Sequence, residues 1–560
     1  MTLLAHFVFG QGKVQRIDSL LNALYAEGKI NGNVLVAEKG VIVYNKSFGL
    51  ADETTRKKLD ENSIFELASV SKQFTAMAIV ILAEKGKLGI DDKISQYIPE
   101  LAFYGNITIR NLLNHTSGIP DYMIYRNLFF DKSKIATNQD VVAMLVKHKP
   151  ALQFEPGTQW TYSNTGYDLL ALIVEKVSGM TFGDYLHKAI FKPLKMNRTF
   201  VYSRRLAPRK IDNYAYGYVY AQRLGKYVLP EEEDTASFAV WMDGIVGAGA
   251  VNSTVMDLLK WDRALYTNKL VSPKSMKAIF ADPGVTNEWT ERYGFGWFLE
   301  EFADLGNIVN HSGGWPGYRT FIDRHIDKDK TIIVLMNHDD ALIPLQALRS
   351  VLADKPLFDP GAAKTIPDSI LSQYAGPYRV GNVFADIVKQ EDGYYLFQEG
   401  AYYKMHFTSD IDFFNVEFPS EKQFVRDPAG AVTGYQRFYF GTRLPMVQKI
   451  TRVDTLTNDA NFFNTAGWHF LECKKFDEAI RYLERGMELH PSDLLIQGNL
   501  AHSYLFNNDY EMAIKIYKKH PGAEIGQGFF WEDMIRQDFA HFHGLNFDKE
   551  LMDRVLAELK

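Results

Sequence analysis

Ser69 and Lys72 are the first residues in this chain whose types and spacing suit nucleophilic chemistry. They open a run with apolar residues on one face of a predicted helix, at Phe74, Met77, Ala78, Ile81 and Leu82. Residues three apart on a helix are neighbours, so the lysine nitrogen can help to remove the serine proton. The first helical turn also favours negative charge and leaves the Ser69 N–H free for an oxyanion hole. The pair alone is a weak signal, because serines at helix N-termini are common.

A second polar pair, Tyr162 and Asn164, lies on a predicted loop. The loop follows the turn signal Glu155 to Thr158 and precedes a helix expected from about Thr165. A tyrosine beside a lysine can have its pKa lowered and act as a base. An asparagine amide can hold the lysine and a substrate carbonyl. Loops are where catalytic side chains tend to lie, so this pair is a candidate partner for the first.

The third element is a glycine pair, Gly313 and Gly314, which follows His311 and precedes a predicted strand. Glycines at this place let a substrate backbone lie against the strand edge, and the Gly314 N–H can serve as a second oxyanion donor. Trp315 comes directly after the pair, where it either lines a substrate cleft or packs in the ordinary way.

In order and spacing, these three elements resemble the motifs of the serine β-lactamase and penicillin-binding protein superfamily. The resemblance is closest to its class C β-lactamase-related branch and covers about residues 14 to 355. Several flanking stretches carry it further: Asn114 to Pro120, Phe154 to Gly157, Gly247 to Gly249, Ser253-Thr254 and Tyr293 to Trp297. His115, within the first of these stretches, is interpreted as a structural hydrogen-bonding residue.

The resemblance implies catalytic roles for five side chains. Ser69 would be the acylated nucleophile, and Lys72 and Tyr162 would share its proton and later activate the deacylating water. Asn164 would position Lys72 and the substrate amide, and His311 would line the strand edge facing Tyr162. The protein would therefore be a serine hydrolase of the esterase, peptidase or amidase type.

The resemblance also implies an oxyanion hole and a substrate-binding edge. The N–H groups of Ser69 and Gly314 would form the hole, and Gly313 and Trp315 would contact the substrate. One position departs from the family pattern: β-lactamases and many penicillin-binding proteins carry a lysine where this chain has His311. Histidine is largely neutral at pH 7, which puts recognition of a β-lactam carboxylate in doubt.

The departure leaves several substrates and one different class of function open. Esters, amides and D-amino-acid peptides all fit the site residues. A peptidoglycan-directed D,D-peptidase and a β-lactamase are alternatives within enzymology. The alternative of another class is a ligand-binding sensor or scaffold that recruits partners through its C-terminal segment. The complete set Ser69, Lys72 and Tyr162 argues against this last reading.

Helices and strands from both ends of the region 14 to 355 must position these residues. An amphipathic helix spans Val14 to Leu24, and two β-branched runs flank Lys39-Gly40 as a hairpin. A helical block follows from about Ser69 to Asp262. Three more strand-like runs come after it, at Tyr293 to Phe298, Tyr318 to Ile322 and Thr331 to Met336. We therefore expect an α+β fold, in which an antiparallel sheet flanked by helices carries a helical insertion.

The chain divides into four predicted segments. Residues 1–12 are signal-like or disordered, 13–358 form the hydrolase domain, 365–452 form a small all-β, barrel-like domain, and 456–560 form helical repeats. In the last segment, Asn464 to Trp468 matches Asn499 to Ser503 at a shift of 35 residues. Two such units with capping helices resemble tetratricopeptide repeats and predict either a partner-binding groove or a docked helical appendage.

Composition excludes several classes of function. The chain has 62 Lys and Arg residues against 68 Asp and Glu, which argues against electrostatic binding of nucleic acid. Its one cysteine, Cys473, forms no internal disulfide and no thiolate metal site. No membrane span, metal or cofactor is expected, and the substrate is a small molecule or peptide. The resemblance favours a periplasmic or extracellular location, although the single cysteine also fits the cytoplasm.

Overall fold

The computed structural model describes residues 2–285, 291–355, 363–398, 400–415, 420–453, 459–526 and 529–559. It describes no side chain among residues 2–11, where the signal-like start was predicted, so that expectation stays a prediction. The chain forms two compact units, Met1–Leu357 and Phe358–Lys560. The predicted domain boundaries at 358 and 456 fall outside the described residues.

The first unit contains fourteen strands and eleven α-helices in its described part. The strands are β1 Gly32–Glu38, β2 Val41–Phe48, β3 Leu50–Asp52, β4 Lys57–Lys58, β5 Phe65–Glu66, β6 Phe200–Val201, β7 Val219–Ala221, β8 Lys226–Val228, β9 Val251–Ser253, β10 Arg292–Tyr293, β11 Phe298–Phe302, β12 Gly306–Trp315, β13 Tyr318–His325 and β14 Lys330–Met336. The helices are α1 Thr2–Ala26, α2 Lys72–Glu84, α3 Ile109–Leu113, α4 Arg126–Phe129, α5 Asn138–His148, α6 Asn164–Ser178, α7 Phe182–Leu186, α8 Phe238–Trp241, α9 Val255–Ala264, α10 Pro273–Ile279 and α11 Leu345–Leu352.

The main sheet is antiparallel and joins the two ends of this unit. Its order is β10-β11-β12-β13-β14-β1-β2, and β1 pairs with β14 from Gly32↔Met336 to Glu38↔Lys330. The β1–β2 hairpin turns at Lys39 and Gly40, which have φ values of 52° and 74°. This confirms both the predicted hairpin and the sheet built from terminal segments.

Helices cover both faces of the sheet because its buried strands are apolar on both sides. Val34, Val36 and Val334 pack against Ile17 and Leu21 of α1 and against α11. The alternate residues of the same strands, such as Leu35 and Ile333, pack into the large core that contains α2, α6 and α9. The predicted α+β class is therefore confirmed.

Two details of the prediction were wrong. Tyr293 to Phe298 is a turn between β10 and β11 rather than one strand, because Gly296 has a φ of 80° and Gly294 N–H donates to Trp297 O. The block from Ser69 to Asp262 contains the short strands β6 to β9 as well as helices. Local apolar runs do not distinguish such short strands from helix ends.

In its described residues, the second unit contains a sheet of ten strands, with one short helix before it and six helices after it. Its strands are β15 Gly376–Val380, β16 Val383–Gln390, β17 Gly393–Gln398, β18 Ala401–Lys404, β19 His406–Phe407, β20 Asp412–Phe414, β21 Glu421–Arg426, β22 Val432–Tyr439, β23 Thr442–Arg443 and β24 Val447–Lys449, with a hairpin β25 Glu524–Gly526 and β26 Phe529–Phe530 further on. Its helices are α12 Asp368–Leu371, α13 Ala460–Glu472, α14 Phe476–Leu489, α15 Leu494–Phe506, α16 Tyr510–Tyr517, α17 Trp531–Gly544 and α18 Lys549–Glu558.

The strands and the helices of the second unit share buried contacts. In the ten-stranded sheet, β18 and β19 are the two ends of the strand order, although they are adjacent in sequence. The core beside these strands includes Tyr378, Phe413 and Tyr435. Phe384 and Phe397 instead pack into the core of the helices. No helix within the described ranges is both long and apolar enough to cross a membrane.

Candidate active site

Ser69 lies in a tight helical turn, Ala68–Ser71, that is held by two strands. Thr320 of β13 donates to Leu67 O at 2.7 Å, and Leu67 N–H donates to Val251 O of β9 at 2.8 Å. Ala68 takes a left-handed φ of 48°, a conformation that costs energy for a residue with a side chain. The backbone directly before Ser69 is therefore fixed from both sides.

The Lys72 amine is buried beside Ser69 and has three polar neighbours. Its Nζ lies 3.2 Å from Ser69 Oγ, 2.8 Å from Asn164 Oδ1 and 3.0 Å from Ala248 O. The side chain has no exposed surface, and this burial lowers its pKa to about 7, against the opposing effect of nearby carboxylates. The predicted juxtaposition of Ser69, Lys72 and Asn164 is present in the structure.

Asp121 fixes the orientation of the Asn164 side chain, and the sequence reading did not single it out. Asp121 Oδ2 accepts from Asn164 Nδ2 at 2.7 Å and from Asn164 N at 3.1 Å. With its amide nitrogen held in this way, Asn164 presents its oxygen to Lys72.

Asp168 holds the Ala248 peptide, which contacts Lys72. The sequence analysis did not predict this residue either. It lies four residues after Asn164 on α6, and therefore on the same helical face. Its Oδ1 accepts from Ala248 N–H at 3.1 Å, while Ala248 O accepts from Lys72. Asp168 is fully buried, and burial raises its pKa well above the usual value. The i, i+4 spacing from Asn164 is the sequence signal that could have identified it.

Tyr162 lies beside Lys72, whose Nζ is 4.8 Å from the centroid of the Tyr162 ring. Burial raises the pKa of Tyr162, and a hydrogen bond with Ser69 only partly offsets this rise. The expectation of a lowered tyrosine pKa was therefore wrong, because loss of solvation outweighs the neighbouring groups. His115 supports the loop: its Nδ1 accepts from Ser163 N–H at 3.2 Å and its ring lies 4.3 Å from that of Tyr162.

His311 is buried and neutral. Its Nδ1 lies 2.6 Å from Ser312 O, an acceptor, so Nδ1 carries the proton. Its Nε2 therefore accepts from the Tyr293 hydroxyl at 2.7 Å. Burial, reinforced by the positive charge of Lys72, lowers the pKa of His311 to about 3. Its ring centroid lies 6.2 Å from that of Tyr162, so the two face each other as expected.

Among the described residues, the end of β12 that lies near Ser69 is paired on one edge only. β11 pairs with β12 only as far as Asn310, and β13 occupies the other edge from His311 to Trp315. A Cβ on Gly313 would lie 2.3 Å from Leu67 O and 2.2 Å from Thr320 Oγ1, so only glycine allows this approach. The corresponding space at Gly314 is open.

Ser69, Asn164, Gly314 and Trp315 line one cleft of about 110 Å³. A wider groove of about 550 Å³ continues from it past Gly313, Gly314 and Trp315. Trp315 lines both, and its ring packs edge-on against Phe238. Lys72, Tyr162 and His311 do not themselves line the cleft, but Lys72 contacts Ser69 and Asn164, which do.

The inner cleft also contains acidic side chains that sequence reading missed. Glu66, Asp168 and Asp243 line it, and the lining described here includes no lysine, arginine or histidine. Within the described ranges, no group of three or more His, Cys, Asp and Glu side chains could hold a metal ion.

Comparisons with known proteins show which proteins this chain resembles in sequence. A family model described as Beta-lactamase matches residues 17–352. A penicillin-binding protein of Bacillus subtilis (strain 168) is 44% identical over 396 residues, which cover 69% of this chain and 88% of that protein.

Two solved structures share the fold. A penicillin binding protein from Bacillus halodurans has a TM-score of 0.51 at 25% identity, covering 60% of this chain and 97% of its own. An octameric penicillin-binding protein homologue from Pyrococcus abyssi has a TM-score of 0.55 at 24% identity, covering 78% of this chain and 100% of its own.

Proposed function

The chain belongs to the beta-lactamase family of serine hydrolases, and from this premise we propose that Ser69 is its acylated nucleophile. The substrates proposed are esters, amides or D-amino-acid peptides. Ser69 Oγ attacks the carbonyl carbon, the bond to the leaving group breaks, and water later hydrolyses the acyl-enzyme.

The observation that carries this proposal is the set of contacts around Lys72. Asn164 Oδ1 and Ala248 O are both acceptors, so they take two N–H groups of the amine. When the amine is neutral, its lone pair is left for the third neighbour, Ser69 Oγ. A pKa of about 7 makes that neutral form available near neutral pH. Lys72 is therefore the proposed general base.

The other side chains have supporting roles in the proposal. Tyr162 holds its proton because burial raises its pKa. It can pass that proton to the leaving group as the Lys72 ammonium, which carries the proton taken from Ser69, returns one to Tyr162. The N–H groups of Ser69 and Gly314 form the oxyanion hole. The free edge of β12, from His311 to Trp315, binds the substrate backbone, with Gly313 as the point of closest approach to Ala68.

Acylation of the nucleophile tests the proposal directly. The protein is treated with a fluorophosphonate and, separately, with a labelled penicillin, and its intact mass is measured. We expect the fluorophosphonate to add one adduct to the wild type and none to Ser69→Ala. We expect penicillin to react more slowly, because neutral His311 supplies no cation for its carboxylate. No labelling by any acylating probe and no ester turnover would leave the sensor or scaffold reading.

We also propose a periplasmic or extracellular location and a partner-binding role for the helices after residue 459. The relationship to penicillin-binding proteins supports a location in the cell envelope. The pairs α13–α14 and α15–α16 support a tetratricopeptide-like repeat. Cell fractionation tests the first proposal, and affinity capture by the intact second unit tests the second.

A further inference from the structure

An exposed apolar surface lies beside the cleft, on a segment that the proposed reaction does not use. Ile124 and Leu128 are four residues apart in two consecutive helical turns, and therefore on the same face. They are 54% and 46% exposed. Tyr122 and Met123, in the same segment, line the inner cleft, and Met123 also lines the wider groove. The segment therefore has one side in the cleft and another in solvent.

Aromatic contacts connect this surface to two other segments of the chain. The Phe129 ring stacks on Tyr125, with centroids 5.2 Å apart, and on His148 of α5, at 3.8 Å. Lys149 follows His148, and its Nζ lies 5.6 Å from the centroid of the Phe103 ring. We call the connected surface the apolar–basic face. It comprises the exposed side chains of Phe103, Ile124, Leu128, Phe129, Val146, Lys132, Lys147 and Lys149.

The charge of this region is opposite in sign to that of the whole chain. Residues 122–149 carry five Lys and Arg side chains against two Asp, a net charge of +3, whereas the chain has a net charge of −6. Lys134 and Asp140 neutralise each other in an ion pair at 2.7 Å. The three lysines of the apolar–basic face remain exposed next to its apolar side chains. This face therefore combines positive charge with apolar area.

The combination favours one kind of partner. Single exposed apolar side chains are ordinary, but a contiguous set from three segments marks a place of interaction. A polyanion in solution would use the lysines and leave the apolar side chains in water. The surface of an anionic bilayer uses both, because apolar side chains enter the boundary between headgroups and acyl chains while lysines are attracted to the lipid phosphates.

We propose that the apolar–basic face docks on the surface of an anionic lipid bilayer. Docking would place the cleft near the lipid headgroups, since Met123 lies in the cleft and Ile124 on the face. The inference goes beyond the proposed acylation and does not depend on it, because no side chain of the face lines the cleft or the groove. An enzyme held in this way meets membrane-bound substrates at a high effective concentration.

Vesicle binding by the full chain tests the proposal. The protein is sedimented with vesicles of phosphatidylcholine, or of phosphatidylcholine and phosphatidylglycerol in equal amounts, at about 0.1 M and about 1 M salt. At the lower salt concentration, we expect the partition coefficient to be at least about tenfold higher for the anionic vesicles. High salt should reduce this difference, because it screens the attraction between lysines and lipid. Ser69→Ala should bind like the wild type.

Two double variants assign the binding to the apolar–basic face. Ile124→Asn with Leu128→Asn removes exposed apolar area, and Lys147→Gln with Lys149→Gln removes two positive charges. We expect each pair to lower the partition coefficient for anionic vesicles at least about tenfold. Circular dichroism establishes that each variant is folded.

The matched controls lie at the opposite end of the main sheet. Val41→Asn with Ile42→Asn, and Lys39→Gln with Lys328→Gln, replace exposed residues of the same kinds. The strand register places the β1–β2 and β13–β14 turns, which carry these residues, at the end of the sheet away from Trp315. Both controls should keep the wild-type partition coefficient.

Several outcomes would overturn the docking proposal. These are no binding of the wild type to anionic vesicles, equal binding to neutral and anionic vesicles, or an equal loss in the face variants and the controls. If only the lysine pair lost binding, the face would be a site for soluble polyanions and the bilayer assignment would be wrong. Failure of fluorophosphonate to label Ser69 would instead overturn the proposed function and leave the docking result unaffected.

Discussion

At the scale of single residues, the proposed reaction depends on one amine whose proton affinity is set by its surroundings. Lys72 is buried, and the loss of solvation disfavours its charged form more than the neighbouring carboxylates favour it. Asn164, held by Asp121, and the Ala248 peptide, held by Asp168, then fix where its hydrogens point. The proposed chemistry of Ser69 therefore also depends on Asp121 and Asp168, which act by holding the neighbours of Lys72.

The pH dependence of turnover is the first prediction at this scale. A general base acts when deprotonated, so kcat/KM for a neutral ester should rise with pH and level off above a pKa of about 7. An unshifted lysine would place the midpoint near 10.5. A midpoint near that value, or an unchanged profile in a still active Lys72→Ala variant, would show that another group is the base.

The positioning role of Asp168 is the second prediction. Asp168→Ala removes the acceptor for Ala248 N–H, so the carbonyl that holds Lys72 can move. We expect kcat for a neutral ester to fall about tenfold, since one hydrogen bond is worth roughly 0.5–1.5 kcal/mol and the freed N–H stays buried. Asp168→Asn keeps an oxygen at the same place and should restore most of the activity.

The pH profile distinguishes positioning from a purely structural role. A merely destabilised Asp168→Ala enzyme would keep the wild-type midpoint at temperatures where it stays folded. Displacement of the Lys72 amine should shift that midpoint. Activity of Asp168→Asn as low as that of Asp168→Ala would contradict the role assigned to the Ala248 contact.

At the scale of elements, strand β12 determines the width of the site. Gly313 brings it against Leu67 and Ala68, directly before the nucleophile. Gly313→Ala would place a Cβ 2.3 Å from a backbone oxygen, and we expect it to lower the free energy of unfolding by about 1–3 kcal/mol. Urea unfolding measures this change.

Gly314→Ala is the control for that substitution. It adds the same methyl group on the adjacent residue, where a Cβ would have no neighbouring atom within 4 Å. We expect its urea midpoint to be close to that of the wild type. If both variants were equally stable, the strand would have room to move, and Gly313 would not set its distance from Ser69.

Sequence patterns predicted the sheet and the motif residues, but they did not predict the environment of the site. The hairpin at Lys39-Gly40 and the amphipathic helix near Val14 depend on local periodicity, which a sequence displays directly. The raised pKa values of Tyr162 and Glu66 depend on burial created by distant segments. Spacing along the chain carries no information about such desolvation.

At the scale of the whole molecule, every side chain assigned to the reaction lies in the first unit. A chain of residues 1–355 should therefore keep wild-type turnover of a small neutral ester. A chain of residues 1–453 should fare worse, because it keeps Phe384 and Phe397 but lacks the helices that bury them. Solubility, circular dichroism and turnover compare the two, and a folded but inactive 1–355 chain would contradict the assignment.

The second unit should lose stability at alkaline pH. His469 of α13 and Asp386 of β16 form a fully buried pair at 3.0 Å. Burial acts to lower the pKa of His469, but hydrogen bonds to Asp386 and Cys473 outweigh it and raise the pKa to about 9. The folded state thus binds the proton more tightly than the unfolded chain. The gain is complete below about pH 6.5 and is lost as the pH rises through about 9.

Calorimetry of the full chain at several pH values measures this loss. We expect the transition of the second unit to move to lower temperature between pH 6.5 and 9.5, and Asp386→Asn to flatten that dependence. A transition that stays level in the wild type over this range would mean that His469 is neutral in the folded state.

The pairing of β1 with β14 has a consequence for biosynthesis. Strand β14, which pairs with β1, ends at Met336, roughly 300 residues after β1. A ribosome adds about 5–20 residues per second. Gly313 follows Ser69 by roughly 240 residues, so for roughly 12 to 50 s the emerging chain holds Ser69 without the glycine strand that completes its surroundings. We expect the nascent hydrolase to be inactive until β12 is added, shortly before β14 pairs with the open edge of β1, so that activity and protection of that edge from aggregation are gained late in translation.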